Sequence, residues 1–158
     1  MKLFFLKTAL LLSQESKCVS YKVGCLIVKD KRILSTGYNG TAPGFPNCNT
    51  IFRKETFDRE KHHAFSDKYE IHAEMNAILF AAKNDLSIDG CELYTTVHPC
   101  DQCLKNLIQS GIKKIYYVFD YDKATINNEL LGFIEIEKVE SEELNEFIKV
   151  NNLKFNNL

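Results

Sequence analysis

Apolar positions recur along this chain with two different periods, and the switches between them outline its elements. Leu3, Leu6, Leu10 and Ser13 fall at helical spacing with Phe4, Thr8 and Leu11 beside them, which predicts an amphipathic first helix. Lys22 to Lys29 (KVGCLIVK) is rich in apolar and β-branched residues. Asp30-Lys31 makes a tight turn, and Arg32 to Tyr38 (RILSTGY) returns as the second strand of a hairpin. Asn39 to Asn49 is dense in Gly, Pro and Asn and reads as a loop. From there to Tyr69 the pattern is polar and ambiguous. Ile71 to Asn84 (IHAEMNAILFAAKN) is a strong helix former. Glu92 to Val97 is a strand. Pro99 opens a helix that Gly111 ends. Lys114 to Phe119 is a strand, Thr125 to Leu131 a short helix, and Phe133 to Val139 another strand. Ser141 to Asn151 reads as a final helix with half of a capping box, because Leu144 stands where the reciprocal Glu would be.

Strands alternating with helices after an opening hairpin predict an α/β layered domain with a mixed sheet. The 158 residues suffice for one domain with a real core, and neither repeat nor linker divides them. Apolar residues at 45% and charged residues at 26% fit a soluble globular chain. The formal net charge of −1, with no long basic run, argues against a duplex nucleic-acid partner, which calls for a basic excess. No apolar stretch reaches the ~18 residues that span a membrane. The opening MKLFFLKTALLL has the outline of a short secretory signal. Lys7 interrupts it, however, and SQESK follows where a small-residue cleavage site would stand, so a core-packed helix is expected instead.

The six cysteines (18, 25, 48, 91, 100 and 103) therefore fit metal or redox chemistry in a reducing, cytoplasmic setting better than a disulfide framework. Cys100 and Cys103 are three apart at the start of a helix. They share a face there, and unpaired N–H groups and the helix dipole favour thiolates. With His72 they offer zinc three protein ligands and leave a fourth position for water, which zinc turns into a nucleophile near neutral pH. Glu74 stands two residues past His72, which inside a helix would be about 200° away; at a helix start the geometry is looser. The expected division is His72 as ligand and Glu74 as proton shuttle. H-x-E followed by P-C-x-x-C is the known signature of zinc nucleobase deaminases, and this sequence matches it. A purely structural zinc would call for a fourth protein ligand, and none is evident nearby.

Four longer segments carry a wider resemblance: VGCLIV (23–28), STGYNGTAPGFPNC (35–48), IHAEMNAILFAA (71–82) and LYTTVHPCDQCLKNLIQSGIKKIYY (93–117). In these the chain resembles the deoxycytidylate (dCMP) deaminase family, over roughly Leu3 to Val139. The resemblance implies a cytidine deaminase-like three-layer α/β/α fold with a five-stranded mixed sheet. It implies zinc-dependent hydrolysis of dCMP to dUMP and ammonia, which supplies thymidylate synthesis, in a homo-hexamer activated by dCTP and inhibited by dTTP. It places Asn39 at the substrate sugar and Tyr121 beside the pyrimidine, although an Asn-Gly turn and a rim tyrosine account for them as well. Lys22 is the candidate for the substrate phosphate. Gly37, Tyr38, Gly40, Phe80 and Lys83 match segments tied to the effector site, with Lys83 where a close relative would have Arg. Some members hold a second, structural zinc, and Cys18, Cys48 and His62 fall at matching positions. A further His of that site has no counterpart, Lys54 standing in its register, and His63 is the candidate substitute. His98 reads as a pocket-wall residue. The alternatives are deamination of dCTP or of adenosine in RNA, the latter disfavoured by the balanced charge. A non-catalytic nucleotide-binding protein is the alternative of another class, against which Glu74 speaks.

Overall fold

The computed structural model describes residues 1–121 and 128–156. Helix α1 (Lys2–Ser13) leads into strands β1 (Gly24–Lys29) and β2 (Arg32–Tyr38) and a two-residue strand β3 (Gly40–Thr41). Helix α2 (Cys48–Ile51), a 3-10 turn (Lys54–Thr56) and α3 (Arg59–Tyr69) follow, then a short β4 (Glu70–Ile71) and α4 (Ala73–Lys83). The remainder is β5 (Glu92–Val97), α5 (Asp101–Gln109), β6 (Lys114–Phe119), α6 (Asn128–Leu131), β7 (Glu135–Lys138) and α7 (Glu142–Val150). Residues 125–127 of the short helix expected at 125–131 lie outside the described residues, and its remainder is α6.

Five strands form one mixed sheet in the order β2-β1-β5-β6-β7, with β3 and β4 paired separately. The β1–β2 hairpin closes through Asp30 and Lys31, both at positive φ, the conformation whose twist matches that of the flanking strands. β1 also runs antiparallel to β5, whereas β5, β6 and β7 are parallel and are joined through α5 and α6.

Alternation along the strands sends side chains to two cores. Leu26, Val28, Tyr94, Tyr116 and Val118 pack under α1 and α7 with Phe5, Leu6, Leu10 and Leu144. Cys25, Ile27, Leu93 and Ile115 face α4 and α5 through Ala73, Ala77, Leu104 and Leu107. The three-layer architecture is the one the resemblance implies. Two expectations shift in detail. The buried stripe of α1 is Phe5, Leu6, Ala9, Leu10 and Ser13, and Phe4 and Leu11 are exposed. The helix expected from Ile71 starts at Ala73, because Glu70 and Ile71 pair with β3.

One glycine sets how closely a helix approaches the sheet. A Cβ on Gly37 would overlap the Ala73 carbonyl oxygen and come within 2.7 Å of the Ala77 nitrogen. The missing side chain lets β2 lie directly against the first turn of α4. Ser35 adds a hydrogen bond from its hydroxyl to the Ala77 carbonyl, at 2.7 Å.

Candidate active site

Two helix starts meet beyond the end of β5. His72 is the N-cap of α4 and Cys100 the N-cap of α5, each in extended backbone (φ −64°, ψ 153° and φ −70°, ψ 164°). Cys103 lies in the first turn of α5. The His72 Nδ1 atom is 3.5 Å from Cys100 Sγ and 3.4 Å from Cys103 Sγ. A tetrahedral zinc with bonds of ~2.0–2.1 Å to nitrogen and ~2.3 Å to sulfur would hold those atoms about 3.5 Å apart. The three ligand atoms lie within 4.8 Å of one another, so the cluster could hold the ion. The protein groups by themselves share protons. The Cys103 thiol, donating to Cys100, holds Cys100 down to about 4. The hydrogen bond with Cys100 lifts His72 to about 9. Cys103 is pushed up by its bond to Cys100 and by burial. Cys100 is thus already a thiolate at neutral pH, the form that binds metal.

Glu74 is buried in the first turn of α4. Because His72 sits outside the helix, the 200° separation does not apply, and Glu74 contacts the same centre through Cys103. Burial raises its carboxyl above the usual range, against the opposing pull of its own backbone N–H and of His72. A carboxyl so placed is suited to holding and passing a proton. An open cleft leads to this point, lined by His72, Glu74 and Cys100 together with Asn39, Tyr21, His98 and Tyr121.

Residues 2–119 match the sequence model of the cytidine and deoxycytidylate deaminase zinc-binding region. The chain belongs to that family. The deoxycytidylate deaminase of Enterobacteria phage T2 is 39% identical to it, with 90% of this chain and 95% of the relative covered. The deoxycytidylate deaminase of Enterobacteria phage T4 is 42% identical over 75% of this chain and 77% of the relative. Among solved structures, the dCMP deaminase of cyanophage S-TIM5 in complex with dCMP and dUMP superposes with a TM-score of 0.73 at 38% identity, covering 87% of this chain and 96% of that one. This member of the family is accordingly a hydrolytic deaminase with a zinc-binding region.

A second cluster of metal-binding groups lies beside the same cleft. Cys48 Sγ is 3.3 Å and Cys18 Sγ 3.6 Å from His62 Nε2, and Glu70 Oε2 is 3.7 Å from Cys18 Sγ. The four ligand atoms fall within 4.8 Å of one another. The structure thus brings together the three residues singled out in the sequence and adds Glu70. His63 is not in the cluster; it is exposed, with Nε2 3.3 Å from Asp67 Oδ2. Glu70 Oε1 is buried with no hydrogen-bond partner among the described residues, which a cation at this position would remedy. The sequence signal for Glu70 is weak: a carboxylate between Tyr69 and Ile71, at the end of a segment with no readable period.

The remaining candidates separate. Asn39 lines the cleft, and its amide clamps one wall, accepting from the Val23 N–H at 2.8 Å and donating to the Tyr21 carbonyl at 2.9 Å. Tyr121 packs edge-on against Tyr21 across 5.7 Å at the cleft wall. His98 also lines it, buried, with its ring edge-on to Tyr117. Lys22 does not line the cleft; its Nζ donates to the Gln14 and Ser16 carbonyls at 3.1 and 3.0 Å. Gly37 is occupied by packing against α4. Tyr38, Phe80 and Lys83 lie exposed on the outer side of β2 and α4, and Gly40 has open space around its Cα.

Proposed function

We propose that this chain hydrolyses dCMP to dUMP and ammonia, with one zinc held by His72, Cys100 and Cys103. The observation that carries the reading is the buried Glu74 beside a three-ligand cluster at the end of an open cleft. Zinc supplies an activated water. Glu74 takes one proton from the attacking water as the C4–O bond forms and passes it to the ring nitrogen; it then moves the remaining hydroxyl proton to the amino group, the C4–N bond breaks and ammonia leaves. Asn39 faces the sugar and the Tyr121 ring the pyrimidine, as the wall they form suggests. The choice of dCMP is supported by the two phage relatives and by the cyanophage dCMP deaminase solved with dCMP and dUMP.

Three further parts of the reading go with it. A second zinc sits among Cys18, Cys48, His62 and Glu70, supported by their spacing and by the orphaned Glu70 oxygen. The enzyme is a single-domain cytoplasmic protein assembled as a homo-hexamer. dCTP activates it and dTTP inhibits it at a site built from Gly37, Tyr38, Gly40, Phe80 and Lys83. What supports an assembly there is the exposure of three large apolar side chains, Tyr38, Leu79 and Phe80, along one outer surface. No described helix is long and apolar enough to cross a membrane.

The test is ammonia release from purified protein with dCMP, dCTP, deoxycytidine and CMP, each with and without dCTP or dTTP as effector. Selective turnover of dCMP that shifts with the triphosphates is expected. A zinc-loaded protein that releases no ammonia from any of the four would overturn the reading.

A further inference from the structure

Arg59, His62, His63 and Ser66 follow one another at i, i+3, i+4 and i+7 along α3, and all four line the cleft. Arg59 is the only Lys or Arg among the described residues that do so. It is exposed, and it makes no ion pair or side-chain hydrogen bond with any described residue. The two carboxylates of the cleft are committed elsewhere, Glu74 to the catalytic cluster and Glu70 to the second one. Lys22 is held away by backbone carbonyls.

A nucleotide whose base reaches the His72, Glu74 and Cys100 end of this open cleft brings a dianionic phosphate with it. Burying that charge requires a cation, and a guanidinium offers a planar fork that matches two phosphate oxygens. We infer that Arg59 binds the phosphate of the substrate and makes the enzyme prefer a nucleoside monophosphate to the bare nucleoside. The inference rests on the cytosine-nucleotide reading above. α3 carries both Arg59 and His62, and His62 ties the helix to Cys18, Cys48 and Glu70. The second cluster therefore fixes the helix from which Arg59 reaches the cleft, and so acts as a positioning device for phosphate recognition.

Steady-state kinetics of Arg59→Gln and Arg59→Lys, with dCMP and deoxycytidine as substrates, test this. Arg59→Gln is expected to raise KM for dCMP by about 10- to 100-fold, the usual cost of losing a charge-assisted contact, with kcat nearly unchanged. Turnover of deoxycytidine is expected to stay at the wild-type value, however low. Arg59→Lys should recover part of the dCMP affinity. Equilibrium binding of dUMP to Arg59→Gln should weaken by the same factor. Unchanged KM for dCMP and unchanged dUMP affinity would overturn the role of Arg59 while leaving the deaminase reading intact. Wild-type protein inactive on every cytosine substrate would overturn both.

Discussion

His72 and Cys100 meet as the N-caps of two different helices, with His72 Nδ1 3.5 Å from Cys100 Sγ. Neither residue is held to a helix face, so both side chains turn to a point between the two helix starts. Both helix dipoles present their positive ends there, which favours thiolates and a carboxylate at the same place. Glu74, one residue into α4, inherits that position while remaining buried.

Glu74→Gln separates metal binding from chemistry. The amide keeps the size of the carboxyl but cannot accept and release a proton. Zinc content, read by atomic absorption, should stay at the wild-type value, and kcat should fall by about 10²–10⁴-fold. Full activity with zinc bound would show that some other group shuttles the proton.

Zinc affinity of the catalytic cluster should rise with pH. In the metal-free protein His72 loses its proton at about 9, and Cys103 is pushed up. Both must be deprotonated to bind, whereas Cys100, held down to about 4, already is. Below 9 each step up in pH therefore removes a competing proton from His72, and affinity climbs; above 9 that contribution levels off. Competition with a chromophoric chelator from about pH 6 to about pH 9, in protein with the second cluster disabled by Cys48→Ser, measures it. An affinity flat across this range would contradict the shared-proton arrangement.

Gly37→Ala should destabilise the fold by about 1–3 kcal/mol, because the new methyl overlaps the Ala73 carbonyl and must push β2 and α4 apart. The first turn of α4 carries Glu74 and follows His72, so kcat should fall as well. Urea denaturation and dCMP turnover report the two effects separately. The same change at Gly40 meets open space and should leave stability within about 0.5 kcal/mol of the parent.

His62→Ala should remove a bound metal without touching the catalytic cluster. Zinc per chain is expected to drop from about two to about one, and Tm by roughly 5–15 °C. If α3 is positioned from this cluster, KM for dCMP rises while turnover of deoxycytidine persists. An unchanged zinc content would remove the second metal from the account.

The first cluster of the candidate site is legible in the sequence. His72, Glu74, Cys100 and Cys103 sit in two short segments whose internal spacing already places them near helix starts. The second cluster is only partly legible. Cys18, Cys48, His62 and Glu70 are spread over fifty-odd residues of chain, much of it the polar stretch before Tyr69 where no period declares itself. That stretch folds as α3 because Asp58 caps it, accepting from the Glu60 and Lys61 N–H groups at 3.1 Å. Once the helix is formed, His62 turns inward to the two cysteines while His63, one residue on, is left exposed beside Asp67. The placement of Lys22 also depends on packing. It stands just before a strand that borders the cleft, yet its ammonium is drawn to the carbonyls at the end of α1.

What the sequence determined by itself were the quantities that depend on near neighbours in the chain. These are the periods that make β1, β2, β5 and β6 strands and α1, α4 and α5 helices, the Asp30-Lys31 turn, and the ligand spacing at Cys100 and Cys103. The tertiary structure decided which distant groups share a space. It chose Glu70 rather than His63 as the fourth member of the second cluster, and Arg59 rather than Lys22 as the cation in the cleft. Side-chain reach is a few ångströms, and whether two groups fall within it is settled by how helices pack on the sheet, a relation that no local pattern encodes.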